Sequence, residues 1–356
     1  MKIQFILPPN YNQPVGGYKV VFQYANWLSS KGHKVHIYFM NLKEFTGKRQ
    51  LRWIKRALAR QSNPTNEVTW YNIDSKVIVH YCVDHKVVER LTNGIVIATF
   101  WKTAITVVKS HVPSKNKYYF IQDYEIFATS EENVIETWHY PLKKIVVSNW
   151  LKEKAHELGE QAELIPNFID ESDFFEVNEN IKNPTVSMLW HDNSRKGSAV
   201  GLNILKCIKK EIPNLHAIFF GKNTPPDNLP DWVEYYQNAT VSELRDKIYG
   251  KSTVYIMPSE FEGWGLTAME AMAVGTPVIS FENGGIRNYA NDESAVLIPV
   301  GDVKMMQIEL MDLLQNSEKR ATIKAKALAK LKYYTIKSSG VKFDKFLTEK
   351  LDNLNL

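Results

Sequence analysis

Two glutamates embedded in an apolar, glycine-punctuated stretch carry the most chemistry in this chain. Between Val254 and Gly285 the sequence runs VYIMPSEFEGWGLTAMEAMAVGTPVISFENGG. Val254 to Met257 is a short apolar run with strand character, closed by Pro258. Gly263 and Gly265 then permit a sharp turn and leave backbone amides uncovered. Leu266, Met269 and Ala273 recur at helical spacing, and Gly275 followed by Pro277 ends that helix. Val278 to Ser280 resumes a buried strand. Glu262 and Glu270 stand eight positions apart, about 12 Å if helical at roughly 1.5 Å per residue. That separation is too wide for one atom and suits two parts of one long ligand. The amides beside Glu262 favour anionic or polar groups. A nucleotide-sugar, hydroxyl-rich at both ends around a diphosphate, has this shape. The plain alternative is a helix-capping acid at Glu262 and a solvated surface acid at Glu270.

The elements that must position these residues are legible along the chain. Lys2 to Leu7 reads as a buried strand, followed by a loop, a helix to Ser30 and a strand at Val35 to Phe39. This βαβ unit predicts a parallel sheet. Gly16 and Gly17 open the helix, where bare amides meet a phosphate or a hydroxyl, or simply form a turn. The third glycine of G-x-G-x-x-G is missing, which argues against a nicotinamide cofactor. Strand readings continue at Val77–Cys82, Ile95–Phe100, Tyr118–Ile121 and Ile145–Ser148, and Gln122-Asp123 lies just past a strand's carboxyl end. Glu171 to Asn183 is polar and acidic, as in a linker. A second series begins at Thr185 to Trp190, followed by Lys196-Gly197 before an amphipathic helix. Ser242 is expected to cap a helix over Ser242 to Lys247.

The pattern PS-x-x-EG-x-G-x-x-x-x-EAMA-x-G-x-PV resembles the signature of the retaining glycosyltransferases of family 4, which have the GT-B fold. The IPNFID element at Ile165 to Asp170 resembles that family's I-P-N-G-V-D. The resemblance implies an α/β chain with two Rossmann-like domains whose parallel sheets face across a cleft. It places an acceptor-side domain at 1–170, a linker at 171–183, a donor domain at 184–335 and a terminal helix at 336–356. That helix, with Phe343, Phe346, Leu347 and Leu351 in a stripe, is expected to return to the first domain. Donor-site roles carry over to Glu270 on the ribose, Glu262 on the sugar and Lys196 on the diphosphate. Gly16, Gly17, Gly263, Trp264, Gly265 and Leu266 complete the donor-binding set. An arginine usual in the family is replaced by His191, so either His191 or Arg195 becomes the second phosphate ligand. Asp123 orients the acceptor hydroxyl or helps remove its proton, or it is a helix cap.

The implied activity is transfer of a hexose-type sugar, with retention, from a nucleotide-diphosphate-sugar to a glycan, lipid-linked or protein acceptor in surface-glycan synthesis. No Asp-x-Asp occurs, so no metal or other cofactor is expected. A catalytically silent partner subunit and a GT-B sugar-nucleotide epimerase are the alternatives. Net charge of +5 is too small to argue for nucleic acid. Cys82 and Cys207 fall in apolar patterns and are expected as core thiols of a cytoplasmic protein. No signal peptide or spanning segment is read. Lys48, Arg49, Arg52, Lys55, Arg56 and Arg60, interleaved with Leu51, Ile54 and Leu58, suit either a solvated helix or peripheral docking on an anionic membrane.

Overall fold

The computed structural model describes residues 1–41, 67–177 and 181–352, side chains to 348. The basic stretch from Lys48 to Arg60 lies outside the described residues. The chain divides into two compact units, Met1–Pro166 with Ser339–Leu356, and Asn167–Ser338.

In the first unit the strands are β1 (Lys2–Leu7), β2 (Lys34–Met40), β3 (Ile78–Val83), β4 (Ile95–Ala98), β5 (Lys117–Ile121), β6 (Lys143–Val146) and β7 (Ala162–Leu164). They form one sheet in the order β3-β2-β1-β4-β5-β6-β7, every pair parallel. Helices α1 (Gly16–Ser30), α2 (His85–Glu89), α3 (Trp101–Val108), α4 (Glu131–Trp138) and α5 (Asn149–Glu157) connect them. Central strands such as β4 and β5 are buried along their whole length, which is why they read as unbroken apolar runs without alternation.

The second unit repeats the plan with β8 (Thr185–Leu189), β9 (His216–Gly221), β10 (Val233–Gln237), β11 (Val254–Met257), β12 (Val278–Phe281) and β13 (Val296–Ile298). Their order is β10-β9-β8-β11-β12-β13, again all parallel. Helices α6 (Ser198–Glu211), α7 (Leu266–Val274), α8 (Val303–Gln315) and α9 (Ser317–Leu331) accompany them. Val186, Leu205, Phe219, Ile256, Ile279 and Leu310 belong to one buried apolar cluster of this unit. In each sheet the strand order reverses once, between β1 and β4 and between β8 and β11, and such switch points open a crevice at the strands' carboxyl ends.

The last helix, α10 (Ile336–Asp352), begins in the second unit and ends in the first. Phe343 stacks on Tyr24 at 4.2 Å and meets Phe120 edge-on at 5.5 Å. Gly340 lies so close to Trp27 that a Cβ would fall 2.5 Å from its indole nitrogen.

Several local expectations are corrected. The units part at Pro166 rather than after residue 170. The described part of the expected linker belongs to the second unit: Phe174 is buried against Tyr249, Val177 N–H donates to Val274 O at 3.0 Å, and Arg245 reaches Asp173 O at 3.2 Å. Ser242 makes no cap bond. Thr240 does, its hydroxyl accepting from Glu243 N–H while Glu243 accepts from Thr240 N–H, and the helix it starts is a π-helix, Glu243–Tyr249. Cys82 and Cys207 are exposed; Cys207 sits on the outer face of α6, and Cys82 adopts φ 53° on edge strand β3. Among the described residues no helix is long and apolar enough to cross a membrane.

Candidate functional site

The residues singled out from the sequence divide between the units. Lys196, His191, Arg195, Glu262, Gly263, Trp264, Gly265, Leu266 and Glu270 belong to the second; Gly16, Gly17 and Asp123 belong to the first.

In the second unit β8 and β11 flank the switch point, and each is followed by a loop that feeds a helix. After β8 comes the turn Ser194–Lys196, capped by Asn193, whose side chain accepts from Arg195 N–H. Gly197 closes the turn at φ 67°, and a Cβ there would lie 1.9 Å from Pro258 O. Only glycine permits this approach, so Lys196 is pressed against the loop after β11 by backbone contact. That loop returns the contact, with Glu260 N–H donating to Arg195 O at 2.8 Å.

Here Lys196 Nζ meets both oxygens of Glu262, at 2.8 and 2.7 Å. Glu262 is 9% exposed and is held by Asn283, whose carbonyl accepts its N–H at 3.1 Å. It is not helical: it bridges to Gly284, and α7 starts only at Leu266. The purely helical spacing expected between the two acids therefore does not apply. Gly265 caps α7 at φ 88°, its carbonyl accepting from Tyr289 hydroxyl at 2.7 Å. Trp264 is buried between Tyr289 and Tyr334 and donates its indole N–H to Met269 Sδ.

Glu270 is 7% exposed, on the buried face of α7, so it is not a solvated surface acid. Tyr249 hydroxyl donates to its Oε2 at 3.2 Å. Tyr249 is itself fixed, edge-on to Phe220 and Tyr255, with its carbonyl accepting from Thr276 hydroxyl at 2.7 Å. Burial and the Glu270 charge hold the Tyr249 phenol well above its ordinary range, so it remains a donor. This partner was missed from sequence, although the aromatic sits just past the expected helix end.

His191 follows β8. Its N–H donates to Ser198 hydroxyl at 2.8 Å and its Nδ1 accepts from Asn193 N–H at 2.9 Å. Burial, then the Lys196 and Lys222 charges, push it down to about 4. The ring is therefore neutral at physiological pH, and with Nδ1 accepting, Nε2 carries the proton.

In the first unit, Gln122 Nε2 donates to Gly17 O at 3.0 Å, joining two sequence candidates. Asp123 accepts from Tyr124 N–H at 2.8 Å, and no helix starts there for it to cap. Beneath it Glu125, only 4% exposed, accepts from Trp101 N–H at the start of α3 and from Tyr119 hydroxyl. Burial raises Glu125 to about 8, and Asp123 adds to the rise. Among the described residues no His, Cys, Asp and Glu side chains cluster as a set of three or more metal ligands.

Comparison with known proteins bears on the second unit and on the fold. Residues 169–330 match the family model described as glycosyl transferases group 1. A sulfoquinovosyl transferase of Arabidopsis thaliana is 26% identical over 156 residues, 42% of this chain and 31% of its own length. A D-inositol 3-phosphate glycosyltransferase of Acidothermus cellulolyticus is 34% identical over 95 residues, 26% of this chain and 18% of its own. The chain thus spans a third or less of these curated relatives. Sucrose-phosphate synthase from Thermosynechococcus elongatus has a TM-score of 0.76 at 16% identity, over 98% of this chain and 99% of that one. Anabaena HepE in complex with UDP and glucose has a TM-score of 0.75 at 15% identity, over 98% and 100%. The fold is GT-B, two Rossmann-like α/β domains with parallel sheets, and the second unit matches the group 1 glycosyltransferase domain.

Proposed function

We propose that the protein is a retaining family 4 glycosyltransferase that moves a hexose-type sugar from a nucleoside diphosphate sugar to a glycan, glycolipid or glycoprotein acceptor in surface-glycan synthesis. The observation that carries the reading is the Lys196–Glu262 pair at the switch point, with Glu270 buried on the helix that follows. An ammonium has three N–H groups. Two are directed at Glu262, and the third serves a donor phosphate. Glu262 faces the sugar, Glu270 takes the ribose hydroxyls, and the amides at the start of α7 add dipole stabilisation.

In the reaction the anomeric C–O bond to the diphosphate breaks as the acceptor oxygen bonds the same carbon from the same face. The leaving phosphate accepts the acceptor's proton, and Lys196 stabilises the charge that remains. Asp123 orients the acceptor hydroxyl. No metal enters this scheme, because Lys196 and the helix amides supply the positive field. Peripheral docking through Arg52, Lys55 and Arg56 is part of the proposal, and charge reversal there is expected to abolish binding to anionic vesicles.

Anabaena HepE was solved with UDP-glucose and pneumococcal GtfA with UDP and GlcNAc, so UDP-sugars are the first donors to test. Nucleotide release from UDP-, GDP-, ADP- and dTDP-sugars is measured with and without EDTA, and the product's anomeric configuration is read by NMR. Slow donor hydrolysis insensitive to EDTA, and retention on transfer, are expected. No release from any donor would favour the silent-subunit alternative.

A further inference from the structure

Three neighbouring strand ends meet at one corner of the second sheet, those of β10, β9 and β8. Trp190 N–H donates to Phe220 O at 2.7 Å. Gly221 follows so tightly that a Cβ there would lie 2.5 Å from Trp190 O and 2.6 Å from the Tyr235 hydroxyl. His191 and Lys222 are the next residues on the two strands. Their loops are tied together, with Asn223 Nδ2 donating to Asp192 Oδ2 at 2.8 Å and Tyr235 hydroxyl to Asn223 O at 2.7 Å. Gln237 Nε2 donates to Lys222 O at 3.2 Å. The backbone that carries Lys222 is fixed from both sides.

This corner presents hydrogen-bond donors. His191 Nδ1 is occupied by Asn193 N–H, which leaves Nε2–H as the ring's remaining polar group. Lys222 is half-buried, and its ammonium makes no hydrogen bond or close ion pair among the described residues. Burial lowers its pKa, opposed by the Asp192 charge. Lys196 and Lys222 both act electrostatically on the His191 ring, so the three groups share one field. A cation drawn partly out of water is costly, and a bound anion would offset that cost further than the Asp192 charge does.

We propose that His191 Nε2–H and the Lys222 ammonium form one anion subsite, which takes a phosphate of a nucleoside diphosphate beside Lys196. The inference rests on the donor reading above and assigns the second positive charge to a residue on the neighbouring strand. A neutral imidazole gives direction, and the lysine gives charge.

The test is calorimetric titration of the full chain with inorganic pyrophosphate and with UDP, GDP and ADP. Lys222→Gln is expected to weaken pyrophosphate and the preferred nucleotide about tenfold, as for loss of one charged hydrogen bond, while Lys222→Arg stays within about threefold of wild type. His191→Ala is expected to cost less than Lys222→Gln. Lys206→Gln, on the exposed face of α6, is expected to change neither. Pyrophosphate weakened by Lys222→Gln with no nucleotide bound keeps the subsite and ends the donor reading. A nucleotide bound equally by wild type and Lys222→Gln keeps the donor reading and overturns the subsite. Wild type that binds neither probe overturns both.

Discussion

The carboxyl edges of the two sheets are built alike in backbone and unlike in charge. At the second sheet three candidate side chains are held by hydrogen-bond partners: Lys196 by Glu262, Glu270 by Tyr249 and the His191 ring by Asn193. A cation and two carboxylates stand there, Lys196 with Glu262 and Glu270. At the first sheet the corresponding edge carries neutral contacts, Gln122 to Gly17, and an acid, Glu125, that burial keeps protonated at neutral pH. The difference fits a division of labour. An edge that meets a diphosphate needs preorganised charge, whereas an edge that meets an acceptor hydroxyl needs only orientation.

The comparison breaks most sharply at Lys196. Lys196→Ala is expected to lower kcat by about 10²–10³ with a smaller change in donor KM, as for loss of a preorganised charge contact. Steady-state kinetics decide it, and a variant whose KM rises while kcat holds would remove Lys196 from the leaving-group role. On the other edge, Asp123→Asn is expected to cost about 10² in kcat, as for misplacement of a reacting group, with donor KM unchanged. Unaltered kcat reduces Asp123 to a turn residue. Glu270→Ala is expected to raise donor KM about tenfold and leave kcat nearly intact, the pattern of lost uniform binding. Equal effects of Glu270→Ala and Lys196→Ala on both constants would erase the distinction between ribose and phosphate contacts.

The smallest effect is in stability. Glu125 stands at about 8 in the folded chain against an ordinary 4.5. The folded state therefore holds the extra proton, and this contribution is lost as pH rises from 4.5 through 8. His36 is pushed down to about 4 from 6.5, by burial and then by Lys2, His80 and Lys34. Its effect has the opposite sign, with stability falling as pH drops from 6.5 toward 4. Between pH 6.5 and 8 only the Glu125 trend remains of these two, worth about 1 kcal/mol per pH unit. Urea unfolding at both pH values should show that loss in wild type and not in Glu125→Gln, whose amide oxygen still accepts from Trp101 and Tyr119.

The strands of both sheets were legible because fully buried parallel strands are apolar runs with firm breaks around them. Lys196-Gly197, Glu262 and Glu270 were legible because turn chemistry and acids stand out against that background. Strands β7 and β13 were not, since three residues, as in AEL and VLI, give no period to read. The bond between Lys196 and Glu262 joins positions far apart in the chain, and local spacing carries no information about it. Tyr249 escaped because an apolar-looking aromatic at a helix end reads first as core. The exposure of Cys82 and Cys207 was misjudged for a related reason: both lie in buried-type patterns but fall on the outward positions.

The path of the last helix has a consequence for how the protein is made. The second unit is one continuous run of chain, so it holds all its strands before synthesis reaches residue 339. The first unit is not: Phe343, which fills the space between Phe5, Tyr24 and Phe120, is translated only after the whole of the second unit. Domains tend to fold as they emerge. Here the N-terminal unit must wait with its aromatic core open, and the nascent chain completes its first half only after its second.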